Sequence, residues 1–178
     1  MTVTRTILLI DLENLFYEAQ KRDEKIDYEK ILANFNSREN EFLTESIVYL
    51  IRSQDFDSEK FEIKLKEWGY KIQAKNTYKI IKEGRAIYRQ TNLDVEITVD
   101  SLDRINNYDK LILMSGDGDF SYLCQYLKKK GKKIEIWSFK ECYNSILDPD
   151  IIHFITDDFF YKKPVVNIFG FRHGRGPI

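Results

Sequence analysis

Apolar residues along this chain follow two alternating rhythms. Short runs rich in β-branched residues, at Ile7 to Ile10, Ile47 to Ile51, Ile72 to Ala74, Leu111 to Met114, Ile134 to Trp137 and Ile151 to Ile155, have the length and composition of strands. Between them, at Asn14 to Lys21, Asp27 to Phe35, Ser58 to Trp68, Asp94 to Ile105 and Tyr122 to Lys130, apolar residues return every three or four positions, the period of a helix that buries one face. In the third of these segments Phe61, Leu65 and Trp68 form the stripe. In the fourth, Val95, Val99, Leu102 and Ile105 do, and this stripe is expected to face inward. Gly69 and Gly131 directly follow the third and fifth helical segments, where a left-handed C-terminal cap is wanted. Strand and helix therefore alternate, which predicts an α/β fold with a mostly parallel, doubly wound sheet and helices on both faces. Thr77 to Gln90 departs from the alternation. Two β-rich runs there flank Lys82-Glu83-Gly84-Arg85 and predict a hairpin inserted before the fourth helix, positioned to overhang the active edge.

Composition narrows the class. With 178 residues, 43% of them hydrophobic, the chain can bury one sizeable core, so a single domain over 1–161 is expected. The remainder, 162–178, mixes glycine and arginine without a period and is expected to be a loose tail. No apolar run approaches the roughly 18 to 20 residues of a membrane-spanning helix. The first residues lack the long apolar stretch of a secretory leader, so a cytoplasmic protein is expected. Cys124 and Cys142 have neither the spacing nor the histidine neighbours of a zinc site. Because 28 basic residues nearly cancel 29 acidic ones, any recognition of a polyanion must be local rather than global.

Candidate chemistry lies at strand ends, since ligands of open α/β sheets bind outside the carboxyl ends of the strands, near the point where strand order reverses. The first strand runs directly into Asp11, with Asn14 at the opening of the next helix. Another ends in Ser115-Gly116-Asp117-Gly118-Asp119-Phe120, two acids on a glycine-punctuated turn. Asp94 begins the helical segment Asp94-Val95-Glu96-Ile97-Thr98-Val99. Carboxylates brought together repel one another unless a cation neutralises them. A donor set of hard oxygens selects Mg²⁺ or Mn²⁺ over zinc, and such an ion suits phosphodiester hydrolysis without a histidine base. Three of the four acids also have a simpler role open to them: Asp11 and Asp119 as helix N-caps, Asp94 as a charge complementing a helix dipole. His153 is expected to be a half-buried structural histidine, and Trp68 and Trp137 to pack in the core.

In their order and spacing, Ile10-Asp11-Leu12-Glu13-Asn14-Leu15, Leu93-Asp94-Val95-Glu96-Ile97-Thr98-Val99-Asp100, Leu113-Met114-Ser115-Gly116-Asp117-Gly118-Asp119-Phe120 and Gly131-Lys132-Lys133-Ile134-Glu135-Ile136 resemble the NYN domain family of PIN-like ribonucleases. The resemblance covers about Ile7 to Phe160. It implies a three-layer α/β/α sandwich, an acidic metal site for Mg²⁺ or Mn²⁺, and endoribonuclease activity that leaves a 5′-phosphate. By matching positions it makes Asp11, Asp94, Asp117 and Asp119 the metal-facing acids. It gives Asn14 the task of positioning a water on the metal or a phosphate oxygen. Asp100 matches a recurrent acid of the family but lies about 120° round the helix from Asp94, so a supporting role behind the site is expected of it, as of Ser115. Many relatives carry Lys-Gly before the helix acid where this chain has Thr91-Asn92-Leu93, and often a serine where it has Gly118.

The expected substrate is single-stranded or loop RNA. Lys75, Lys79, Lys82, Arg85 and Arg89, interleaved with Tyr78 and Tyr88 in or near the hairpin, are placed to grip and stack it. The run Lys128-Lys129-Lys130 with Lys132 and Lys133 should lie at the opposite edge and face solvent. Two rivals stand beside the nuclease: an RNA-binding or regulatory module with the same fold, and a small phosphohydrolase. The 14% aromatic content suits a homodimer interface as well as a core.

Overall fold

The computed structural model describes residues 2–52, 58–82, 85–89 and 92–161, and for 58, 78–82 and 85–89 the backbone alone. Strand β1 (Thr4–Asp11) leads into helices α1 (Leu12–Lys21) and α2 (Tyr28–Asn36). Strand β2 (Glu41–Arg52), helix α3 (Ser58–Trp68) and strand β3 (Lys71–Asn76) follow. After the hairpin strands β4 (Tyr78–Lys82) and β5 (Arg85–Arg89) come α4 (Asp94–Asp103), β6 (Lys110–Met114), α5 (Ser121–Lys129), β7 (Lys133–Ser138) and β8 (Ile151–Phe154).

Six strands form one sheet in the order β3-β2-β1-β6-β7-β8, and every neighbouring pair is parallel. The chain builds outward from β1 through β2 to β3, then returns to lay β6 on the other flank of β1. That reversal puts the topological switch point between β1 and β6. Alternate residues of the central strands feed two separate cores, as the period of two requires. Leu8, Ile10, Val48 and Met114 pack with Leu15, Ile31 and Leu65 of α1, α2 and α3. Ile7, Leu9, Tyr49 and Leu113 pack with Ile97 of α4 and Leu123 and Leu127 of α5. The result is three layers, helices on both faces of a buried parallel sheet.

Both predicted glycine caps form. Gly69 and Gly131 have φ of 110° and 77°. After α5, Gly131 N–H donates to Lys128 O at 2.9 Å and Lys132 N–H to Leu127 O at 3.0 Å, the paired bonds of a Schellman motif. The inserted hairpin is present as a separate antiparallel pair running from Tyr78 opposite Arg89 to Lys82 opposite Arg85. Residues 162–178, the expected tail, lie outside the described residues. Among the described residues no helix is long and apolar enough to cross a membrane.

One expectation fails. Most of the stripe assigned to α4 faces solvent: Val95, Val99 and Leu102 are exposed and only Ile105, past the helix end, packs against the core, while Ile97 and Ser101 are buried beside Leu93. The helix is turned so that its first residue, Asp94, faces the cleft described below. Residues three and seven positions on share that direction at about 100° per residue, whereas Val95 and Val99 lie roughly 100° and 140° away.

At the amino edge of the sheet, Lys110 and Glu135 are buried and joined at 2.8 Å, with Glu41 2.6 Å from Lys110 and Arg38 2.8 Å from Glu135. Burial alone would push the Glu135 carboxyl up, but hydrogen bonds from Lys110, Trp137 and Arg38 outweigh it and hold Glu135 below its ordinary range. His153 stacks on Trp137 with ring centroids 4.4 Å apart, half-buried and structural.

Candidate metal centre

The carboxyl edge contrasts with that paired arrangement. Asp11 ends β1 and caps α1: its Oδ1 accepts from Asn14 N–H at 3.3 Å and its Oδ2 from the Ser115 hydroxyl at 3.0 Å. The side chain is almost wholly enclosed. Burial pushes the Asp11 carboxyl up to about 6; these two bonds oppose the rise, and the charges of Asp94 and Asp117 add to it. Ser115 also accepts from Asp117 N–H at 3.2 Å, so one hydroxyl ties the end of β6 to the end of β1.

Asn14 makes the second tie. Its Oδ1 accepts from Gly116 N–H at 3.1 Å, which commits the oxygen and leaves the amide NH₂ as the group able to face a ligand. Asp117 then turns the chain, its Oδ1 accepting from Asp119 N–H at 3.0 Å to cap the short 3₁₀ turn Gly118–Phe120. That turn corrects the reading of Asp119 as the N-cap of α5. The residue before α5 is Phe120, which makes no side-chain cap, and Asp117 does the capping one turn earlier.

Close packing explains the glycines. A Cβ on Gly116 would lie 2.5 Å from the Cys142 carbonyl oxygen and also strike the Ser138 hydroxyl. A Cβ on Gly118 would lie 2.5 Å from Asn144 Nδ2, so a larger residue there would require the Asn144 side chain to shift. Gly116→Ala must move backbone, and we expect a loss of about 1–3 kcal/mol in chemical denaturation. With both aspartates of the turn displaced, any metal-dependent activity should fall about a hundredfold. An alanine variant with wild-type stability would show that the turn yields freely.

Asp94 opens α4 and points at the same place. Asn92 Nδ2 donates to its carboxylate. Burial raises the Asp94 carboxyl above its ordinary range, and the charges of Asp117 and Asp119 raise it further. Asp94, Asp117 and Asp119 each offer one oxygen, and these lie within 4.8 Å of one another. Ligands on opposite sides of an ion with bonds of about 2.1 Å are roughly 4.2 Å apart, so the set fits one hard divalent ion after a small contraction. Asp11 is not in that trio. It lines the same cleft, close enough for its carboxyl to sense two of the three.

The cleft measures about 280 Å³, and six acids line it: Asp11, Glu13, Glu18, Asp94, Asp117 and Asp119. Among the described residues no lysine or arginine does. Glu13, unassigned from the sequence, accepts from Ile51 N–H at 2.7 Å and so holds the end of β2 against α1. Burial pushes its carboxyl up to about 7; the bond from Ile51 opposes this, and the Asp11 charge adds to it. Its place between Asp11 and Asn14 in the first motif was the available signal.

Asp100 sits apart, behind the wall. It accepts from Tyr49 Oη at 2.7 Å and from Arg104 Nη1 at 2.6 Å, fastening α4 to β2. Tyr49→Phe should therefore cost about 1–2 kcal/mol in urea denaturation while changing any activity only a few-fold. A variant as stable as wild type would deny that anchor. Lys75, expected to grip substrate, bonds Glu96 at 2.7 Å. The side chains of Tyr78, Lys79, Lys82, Arg85, Tyr88 and Arg89 lie outside the described residues, though their backbone forms the expected hairpin. The basic run after α5 is at the far edge, as expected, with Lys128 3.2 Å from Asp148 and Lys132 bonded to the Tyr108 carbonyl at 2.6 Å.

A parallel α/β sandwich with acids gathered at its switch point is the architecture of a PIN-like domain. The chain belongs to the NYN domain family, whose model matches residues 5–155. It is 30% identical over 137 residues to the low amplitude and bright protein LabA of Synechococcus elongatus, covering 76% of this chain and 74% of that one. Its fold is similar to the crystal structure of VPA0982, a protein of unknown function from Vibrio parahaemolyticus, with a TM-score of 0.74 at 25% identity over 89% of this chain and 96% of that one.

Proposed function

We propose that this protein is a metal-dependent endoribonuclease that hydrolyses RNA phosphodiester bonds. The observation that carries the reading is the three-acid cluster at the switch point, in a cleft where no described cation balances it. Asp94, Asp117 and Asp119 would hold Mg²⁺ or Mn²⁺, with Asp11 next to them. When bound, such an ion activates water and neutralises charge on the phosphate and the leaving oxygen. The chain's own part is positional. Ser115 and Asn14 lock the two acid-bearing strand ends together, so the carboxylates would need only a small contraction to hold the ion. The Asn14 amide donates to a phosphate oxygen or to the attacking water. Water oxygen bonds to phosphorus as the bond to the 3′ oxygen breaks, leaving a 5′-phosphate and a 3′-hydroxyl.

The test is cleavage of end-labelled, mixed-sequence RNA by wild type and Asp117→Asn with Mn²⁺, with Mg²⁺ and with EDTA. Cutting by wild type only, and only with metal, is the expected result. Intact RNA in every lane from folded protein would point to a binding module, and phosphate release from a small ester with RNA untouched would point to a phosphohydrolase.

A further inference from the structure

One cleft residue has no part in the arrangement above. Tyr17 lines the cleft one helical turn beyond Asn14 and is 59% exposed; of the large exposed hydrophobic side chains among the described residues it is the one that lines the acid cleft. Phe16 packs with it in a T-shaped pair, centroids 5.8 Å apart at 71°, which steadies the ring and leaves at least one of its faces uncovered by Phe16. Ile51 and Leu93 add apolar surface to the same cleft. The remaining lining is acidic or amide, so the cleft is electronegative around the acids and has an apolar, aromatic part.

We propose that Tyr17 is the stacking platform for an unpaired nucleobase adjoining the phosphate at the acid cluster. The inference rests on the ribonuclease reading and deepens it by naming the substrate class. Within the cleft a polyanion gains little from the acidic lining beyond what the ion supplies, so a contact that charge does not oppose adds affinity there. Stacking on a tyrosine face is such a contact, and it tolerates any base. A base inside a duplex already has its faces covered by neighbours and cannot lie on the ring, so Tyr17 selects single strands and loops.

The test measures binding and cleavage separately. Anisotropy of a fluorescein-labelled, unstructured 12-nucleotide RNA is titrated with wild type, Tyr17→Ala and Tyr17→Phe, with Ca²⁺ in place of Mn²⁺. The same strand as a blunt duplex is the control. Tyr17→Ala should weaken single-strand binding roughly tenfold to a hundredfold, Tyr17→Phe should stay within about threefold of wild type, and duplex binding should not change. Tyr17 is on the exposed face of α1 and alanine is a strong helix former, so both variants should fold. Equal single-strand affinity for wild type and Tyr17→Ala, equal losses in the two variants, or no single-strand binding by wild type would each overturn the proposal. Cleavage of the same RNA with Mn²⁺ tells the two readings apart. Ring-dependent binding without cutting sinks the nuclease and keeps the platform; cutting with no dependence on Tyr17 does the reverse.

Discussion

Asp94→Asn is expected to raise the melting temperature of the metal-free protein by a few degrees while lowering metal-dependent RNA cleavage about a thousandfold. The two effects share a cause. Burial and the neighbouring charges of Asp117 and Asp119 disfavour the ionised Asp94, so without an ion the folded protein is strained by its own acids, and neutralising one relieves it. With an ion bound, the same substitution removes a donor from the trio. At an Mn²⁺ concentration a hundredfold above Kd, wild type should gain about 2.7 kcal/mol. For a domain of this size that is about 5–10 °C of melting temperature. The variant should lose most of that gain. Loss of several kcal/mol of transition-state stabilisation accounts for the fall in rate. Differential scanning fluorimetry with and without Mn²⁺, beside the RNA assay, reads all three quantities. An unchanged metal shift in Asp94→Asn would remove this acid from the centre.

The second large effect is on pH. The folded Asp11 carboxyl is pushed up to about 6 and Glu13 up to about 7, from ordinary values of 3.8 and 4.5. In those windows the folded state binds more protons than the unfolded one, so metal-free stability must fall as pH rises from about 4 to about 7. Asp11 alone is worth about 3 kcal/mol of this, at about 1.4 kcal/mol per tenfold change in proton affinity. Metal binding has the opposite sign, because an ion needs the carboxylates bare. Apparent Mn²⁺ affinity should climb up to tenfold per pH unit for each proton released, flattening above about pH 7. Calorimetry in buffers of different ionisation enthalpy would count the protons. A Kd independent of pH between 5 and 7.5 would mean that neither buried acid takes part.

How much of this was readable beforehand differs from element to element. The strand runs and their order announced the sheet because parallel strands are buried on both faces and so are continuously apolar. Asp11 and Asp117 stood out for the same reason, each being the first acid after such a run. The face of α4 was not readable by period, since Leu93 and Ile97 compete with Val95, Val99 and Leu102 as a stripe. What settled it was tertiary: Asp94 must face the cleft and Asp100 must reach Tyr49. Asn14 was legible as a residue of the cleft but not as the clamp on Gly116, because that bond joins positions 102 residues apart. Tyr17 was passed over in favour of the hairpin tyrosines, since only the folded cleft separates an exposed aromatic beside the acids from one buried by α1.

The hairpin leaves the domain after β3 and rejoins it at Asn92, and these two points adjoin: Lys75 Nζ is 3.4 Å from the Asn92 carbonyl. An excursion that departs and returns through one doorway can be lengthened, shortened or exchanged while the clustered acids keep their places. If the proposed ribonuclease reading holds, substrate choice and catalytic competence can change independently in this architecture, and a relative with a different insertion should cut a different RNA with the same carboxylates.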